Sequence, residues 1–301
     1  MTQQDRVFEV CGMPVVRDLF RGYNTLLFSY GVTNSGKTHT VTGSADDPGV
    51  LPRSVAAILD VLDRQGAQGD FAVRPKYATQ VEFCSDPRVT APTFRVAPGE
   101  DRWVDGLHRR SDDVDAAVKM ISDELAADGG REWVYQLYVS YFEIYNEMVY
   151  DLLDLSTLTT VQVAESKQPR GRGRPRGRKR QQQAAVADDP LAMSATQIGA
   201  LPRTALLVRT EGGRSNEPFV DGVTAVRVRG VRDLARVLVH GQLRRSVHAT
   251  GLNAGSSRSH ALLQARLVKI RRSAVVGPAT TPATASSSVL VGQASVRGLT
   301  V

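Results

Sequence analysis

The chain is 301 residues long, 42% hydrophobic, formally +7 in charge, and contains two cysteines, Cys11 and Cys84. Two cysteines exclude a disulfide framework and point to core thiols in a reducing compartment. No stretch reaches the roughly 20 apolar residues that cross a bilayer, and Met1 to Arg6 lacks the charged-then-apolar layout of a secretion signal, so a soluble intracellular protein with one large core or two small ones is expected.

In chain order, residues 15 to 22 read as the end of a helix and Thr25-Leu-Leu-Phe-Ser-Tyr30 as a short buried strand. The strand runs into Gly31-Val32-Thr33-Asn34-Ser35-Gly36-Lys37-Thr38, a full match to the phosphate-binding loop pattern. Glycines there let the backbone curl so that successive N–H groups point at phosphate oxygens, with the positive end of the following helix behind them. Lys37 would supply charge to the β and γ phosphates and Thr38 a hydroxyl to Mg²⁺. The competing reading, a glycine-containing turn, does not explain the apolar strand that leads into it. The loop alone says only nucleoside triphosphate.

Residues 50 to 64 and 112 to 127 carry apolar residues at spacings of amphipathic helices, and Trp133 to Tyr145 is the strongest strand, dense in β-branched and aromatic residues. Tyr138, Tyr141 and Tyr145 on it read as core packing. Between Lys167 and Arg180 stand eight basic residues and no acidic one, and without them the rest of the chain carries about −1. Residues 155 to 200 therefore read as a disordered basic insertion in a surface loop, with Gly277 to Ser288 a second flexible loop. Strands are expected at 205 to 209 and 224 to 229, a helix at 231 to 247, and strands at 261 to 270 and 294 to 301. This alternation is that of an α/β fold with a central, mostly parallel sheet flanked by helices on both faces.

Just before the strand at 261 lies Asn253-Ala-Gly-Ser-Ser-Arg-Ser-His260. Alone it could be a polar loop with a helix cap. Beside a phosphate loop it suits a segment whose hydroxyls close on Mg²⁺ and the γ-phosphate. The histidines show no metal-ligand spacing with Cys11 or Cys84, so no metal beyond nucleotide-bound Mg²⁺ is expected.

These two motifs, with Gly22-Tyr-Asn24, Thr38-His-Thr40, Gly49-Val-Leu-Pro-Arg53, Ser140-Tyr-Phe-Glu-Ile-Tyr-Asn-Glu147 and Tyr150-Asp-Leu-Leu153, make the sequence resemble the kinesin motor superfamily over nearly its whole length outside the insertions. The wording of the phosphate loop and the insertion after Asp154 look most like the mitotic branch of the spindle midzone and cytokinesis. The resemblance implies the P-loop NTPase motor fold, ATP and Mg²⁺ as ligands, and microtubule-stimulated ATP hydrolysis driving movement. It assigns residues 31 to 38 to the nucleotide, Thr38 and Ser257 to the metal, and Asn253, Ser256, Ser257 and Arg258 to the hydrolytic switch, Arg258 as the ion pair that latches it. It also implies microtubules as partner, a cytoplasmic and spindle location with the nucleus as an alternative, and dimers only through regions outside this segment. Membranes and nucleic acid are disfavoured as partners.

The family's early Arg-x-Arg-Pro strand and its later Asp-x-x-Gly-x-Glu segment have no counterpart here, so a motor domain incomplete at both ends is expected. Two other readings stay open: a nucleotide-binding remnant without turnover, and a protein whose basic run grips nucleic acid or the acidic tubulin surface by counterion release.

Overall fold

The computed structural model describes residues 3–32, 35–69, 73–75, 81–83, 99–127, 132–154, 203–210, 218–246, 259–272 and 295–300. The fold is built on β4 (Trp133–Tyr145), whose run of β-branched and aromatic residues favours extended backbone. It pairs antiparallel with β9 (Ser259–Arg271) over its whole length, from Trp133 opposite Arg271 to Tyr145 opposite Ser259. On its other edge lie β8 (Val226–Val228) and β5 (Met148–Asp151). Asn146 and Glu147, at φ 50° and 64°, make the two-residue turn into β5, a geometry that matches the twist of a tight hairpin.

The sheet continues outward from β5 through β6 (Ala205–Thr210) to β7 (Pro218–Asp221), and from β9 through β10 (Ser295–Thr300) to β1 (Thr25–Leu26). A separate pair joins β2 (Val73–Pro75) to β3 (Val81–Phe83). Among the described strands only β1 with β10 runs parallel. The expected mostly parallel sheet is thus not confirmed by the described strands; the hairpin that joins β4 and β5 makes that pair antiparallel by construction, and β9 runs antiparallel to both of its neighbours.

Strand periodicity places Tyr135, Leu137, Val139 and Tyr141 in one row of β4, continued by Leu263, Ala265 and Leu267 of β9, and this row shares a single buried cluster with the helices. Central among them is α4 (Val50–Arg64), with Val55, Ile58, Val61 and Leu62 all inaccessible. Around it stand α2 (Met13–Phe20), α6 (Asp112–Ala127), α5 (Glu100–His108) and α7 (Val231–Ser246). The opposite row, with Val134, Tyr138 and Phe142, is buried as well but lies outside that cluster. The described helices thus form one layer on one face, where helices on both faces were expected.

Other expectations also shift. Of Thr25 to Tyr30 only Thr25–Leu26 is strand, and Leu26, Phe28 and Tyr30 are exposed, because β1 is the outermost described strand on its side of the sheet. Tyr138 and Tyr141 are core residues, while Tyr145, beside the turn, is exposed. Cys11 is an exposed free thiol, not a core one; Cys84 and the two low-complexity stretches lie outside the described residues. At the root of the first stretch, the Thr204 hydroxyl donates to the Asp154 carboxylate and Asp151 N–H donates to Thr204 C=O at 3.2 Å.

The chain opens with α1 (Gln3–Val7), a π-turn (Phe8–Gly12) and α2, and α1 touches two later elements. Gln4 reaches α3 (Lys37–Val41), and Asp5 pairs with Arg53 at 2.6 Å inside the first turn of α4. Between α3 and α4 the chain folds into a turn closed by a bridge between Gly43 and Pro48, onto which α5 packs. A Cβ on Gly106 of α5 would lie 1.9 Å from Ala45 C=O. Alanine is the better helix former by about 1 kcal/mol, yet the close contact reverses the sign. Gly106→Ala is expected to cost about 1–3 kcal/mol through overpacking, read as a lower urea midpoint.

Candidate functional site

The strand-to-loop-to-helix order read from the sequence is present, in shortened form. β1 ends at Leu26, the chain runs through Tyr30 without regular structure, and Gly36 enters α3 at φ 87°, ψ 7°, left-handed backbone that favours glycine. The helix behind the loop is only five residues, so its dipole contributes less than a full helix would. Gln4 holds it from behind, its amide donating to His39 C=O at 2.5 Å and lying 3.1 Å from His39 Nδ1.

Lys37 is half-buried and folds back on its own loop, Nζ donating to Gly31 C=O at 2.8 Å and Val32 C=O at 2.6 Å. Those two carbonyls take two of the three donors of the ammonium. Of the loop, Gly31, Val32, Ser35, Gly36, Lys37 and Thr38 are described, and Thr33 and Asn34 are not. Asn253, Ser256, Ser257 and Arg258 likewise lie outside the described residues. Of the second motif Ser259 and His260 are described, and they open β9.

A cavity of about 330 Å³ brings the two motifs together, since Lys37 and Thr38 line one side of it and Ser259 and His260 another. Leu26, Val41, Leu51 and Leu263 give it an apolar lining, while Ser29, Thr38, Thr42 and Ser259 bring hydroxyls. Among the described lining residues there is no carboxylate and there are two side-chain cations, Lys37 and Arg245. That lining suits a ligand with an apolar portion and concentrated negative charge, as a Mg²⁺-nucleotide has. Among the described residues no cluster of protein side chains could hold a metal unaided.

Arg245 is a site residue that sequence reading did not single out. It sits in the last turn of α7, 3.6 Å by its Nε from Glu143 Oε1. Glu143 extends the Tyr135–Tyr141 row of β4 by one more step and is itself buried, so a carboxylate ends an otherwise apolar stripe. Its other oxygen accepts from Arg203 Nη1 at 2.5 Å, and Arg203 Nη2 donates to Arg244 C=O at 3.1 Å. Burial raises the pKa of the neighbouring Tyr141 hydroxyl, with the Arg245 guanidinium pulling it partly back. Gly241, one helical turn before Arg245, lets α7 lie directly on Tyr141, whose ring would be 2.1 Å from a Cβ there. The one legible signal was a glycine and an arginine at i, i+4 on a helix preceding the second motif.

A profile of the kinesin motor domain matches residues 1–174 and 199–292. Kinesin-like protein KIF23 of Mus musculus is 29% identical over 274 residues, 89% of this chain and 24% of that protein. Kinesin-like protein KIF20A of Bos taurus is 21% identical over 304 residues, 89% of this chain and 29% of that protein. A solved kinesin 6 structure superposes with a TM-score of 0.55 at 23% identity, covering 99% of this chain and 62% of that one. The chain thus spans about a quarter of the length of these two relatives.

Proposed function

This chain belongs to the kinesin motor domain family, and from that premise we propose that it binds Mg²⁺-ATP and hydrolyses it to drive movement on microtubules, in mitosis or cytokinesis. The observation that supports this reading is the cavity shared by the phosphate loop and the end of the second motif, lined by cations and hydroxyls and by no carboxylate among the described residues. An anion is therefore its natural occupant, and the family makes that anion a nucleoside triphosphate.

In this reading Lys37 exchanges its two loop carbonyls for β- and γ-phosphate oxygens, and backbone amides of residues 31 to 38 hold the rest of the polyphosphate. Thr38 and Ser257 offer hydroxyls to Mg²⁺, which when bound neutralises charge on the phosphates. Ser256 and Ser257 approach the γ-phosphate and the attacking water, Asn253 helps to position the nucleotide pocket, and Arg258 latches the switch once closed. Catalysis in such a site is positioning and electrostatic stabilisation, with little covalent work for side chains.

The test is phosphate release by the purified chain with and without polymerised tubulin. Microtubule-stimulated release is the expected result. Nucleotide binding without stimulated turnover would reduce the function to a nucleotide-binding unit, and no nucleotide binding would overturn the reading. Location on spindle microtubules follows from the same proposal; among the described residues no helix is long and apolar enough to cross a membrane.

A further inference from the structure

We propose that Arg245 is a second phosphate-contacting cation of this cavity, complementary to Lys37, and that Glu143 is the residue that positions it. The inference rests on the nucleotide reading above. Its starting point is a charge imbalance. Glu143 is 3% exposed, and a buried carboxylate is strongly disfavoured without ionic partners. Two guanidiniums meet it, Arg203 at 2.5 Å and Arg245 at 3.6 Å, so the trio keeps one positive charge in excess.

Geometry decides which arginine carries the excess toward a ligand. The Arg203 side chain is 9% exposed, sits in the shorter contact and spends a further donor on Arg244 C=O. The Arg245 side chain is 26% exposed, at the longer distance, and lines the cavity with Lys37 and Thr38. Arg203 therefore neutralises Glu143 and fastens the last turn of α7, whereas Arg245 is oriented by Glu143 and the Tyr141 hydroxyl with donors left over. The missing side chain at Gly241 allows this, because only a glycine lets the helix come close enough over Tyr141 for Arg245 to reach the far end of β4. A planar five-donor fork held in place at the rim is suited to phosphate oxygens.

Titration with a fluorescent Mg²⁺-ATP analogue tests the assignment. Arg245→Gln, at a partly exposed position, is expected to weaken binding about tenfold, the scale of one charge-assisted hydrogen bond. Glu143→Gln separates positioning from charge. Removing a negative charge beside an anion site would tighten binding if charge alone mattered, whereas loss of positioning weakens it at least about threefold, and Glu143→Asp restores part of that loss. Arg245→Gln with the parent's affinity, or Glu143→Gln binding more tightly, overturns the proposal. Lys37→Ala is the control: if it too binds as the parent does, the nucleotide reading itself has failed; if it alone loses binding, only the role of Arg245 falls.

Discussion

Arg53→Ala is expected to lower the unfolding free energy by about 3–5 kcal/mol, the cost of removing one partner from a buried ion pair. The guanidinium is 6% exposed and spends every face on neighbours: Nε donates to Pro48 C=O at 2.6 Å, Nη1 to Asp5 at 2.6 Å and Nη2 to Asp47 at 2.9 Å. It thereby joins the N-terminal helix, the turn after α3 and the first turn of α4. Alanine leaves Asp5, itself buried, without that partner and opens a space in the cluster around α4. Arg6→Ala is the contrast, since Arg6 and Glu9 form a pair in which the arginine side chain is 65% exposed, and such pairs are worth about 0–1 kcal/mol. Urea unfolding of both variants checks the difference; similar midpoints would mean that the Arg53 network carries no net stability.

Lys37→Ala is expected to reduce Mg²⁺-ATP affinity by about 100-fold or more, because in the proposed function the ammonium leaves its loop carbonyls for charge-assisted bonds to phosphate oxygens, each worth about 1.5–3 kcal/mol. Stability should hardly change. The side chain is only half-buried and its partners Gly31 and Val32 are exposed, so the two carbonyl bonds are exchanged for water, an effect within about 0.5 kcal/mol. This pairing of a large binding loss with an unchanged melting point separates a ligand contact from a structural one. Isothermal titration and a thermal melt on the same preparation check it, and an unchanged affinity would remove the loop from the site.

The two long strands and the three long helices were legible because their patterns are strong and local. Residues 50 to 64 and 112 to 127 have the same bounds in the structure as in the sequence reading, as does the strand from Trp133 to Tyr145. Pairing direction was not legible, because it depends on which strands meet across long stretches of chain and not on their composition. β5 escaped notice because a four-residue strand after a two-residue turn leaves almost no periodicity to read. The phosphate loop announced itself through a fixed spacing, whereas Gln4, Glu143 and Arg245 come to their places through tertiary contacts with positions far away in sequence. In the sequence Glu143 is only one residue of a motif; its environment depends on Arg203 and Arg245, 60 and 102 positions later.

Asp154 and Thr204 stand 50 positions apart and share a hydrogen bond. Together with the bond from Asp151 N–H to Thr204 C=O it forms a two-point clasp, one side-chain and one backbone, at the end of the β5–β6 pair. The place where the chain leaves the sheet after Asp154 and the place where it returns at Thr204 are thereby fastened to each other, so this corner of the sheet keeps its shape through contacts of its own.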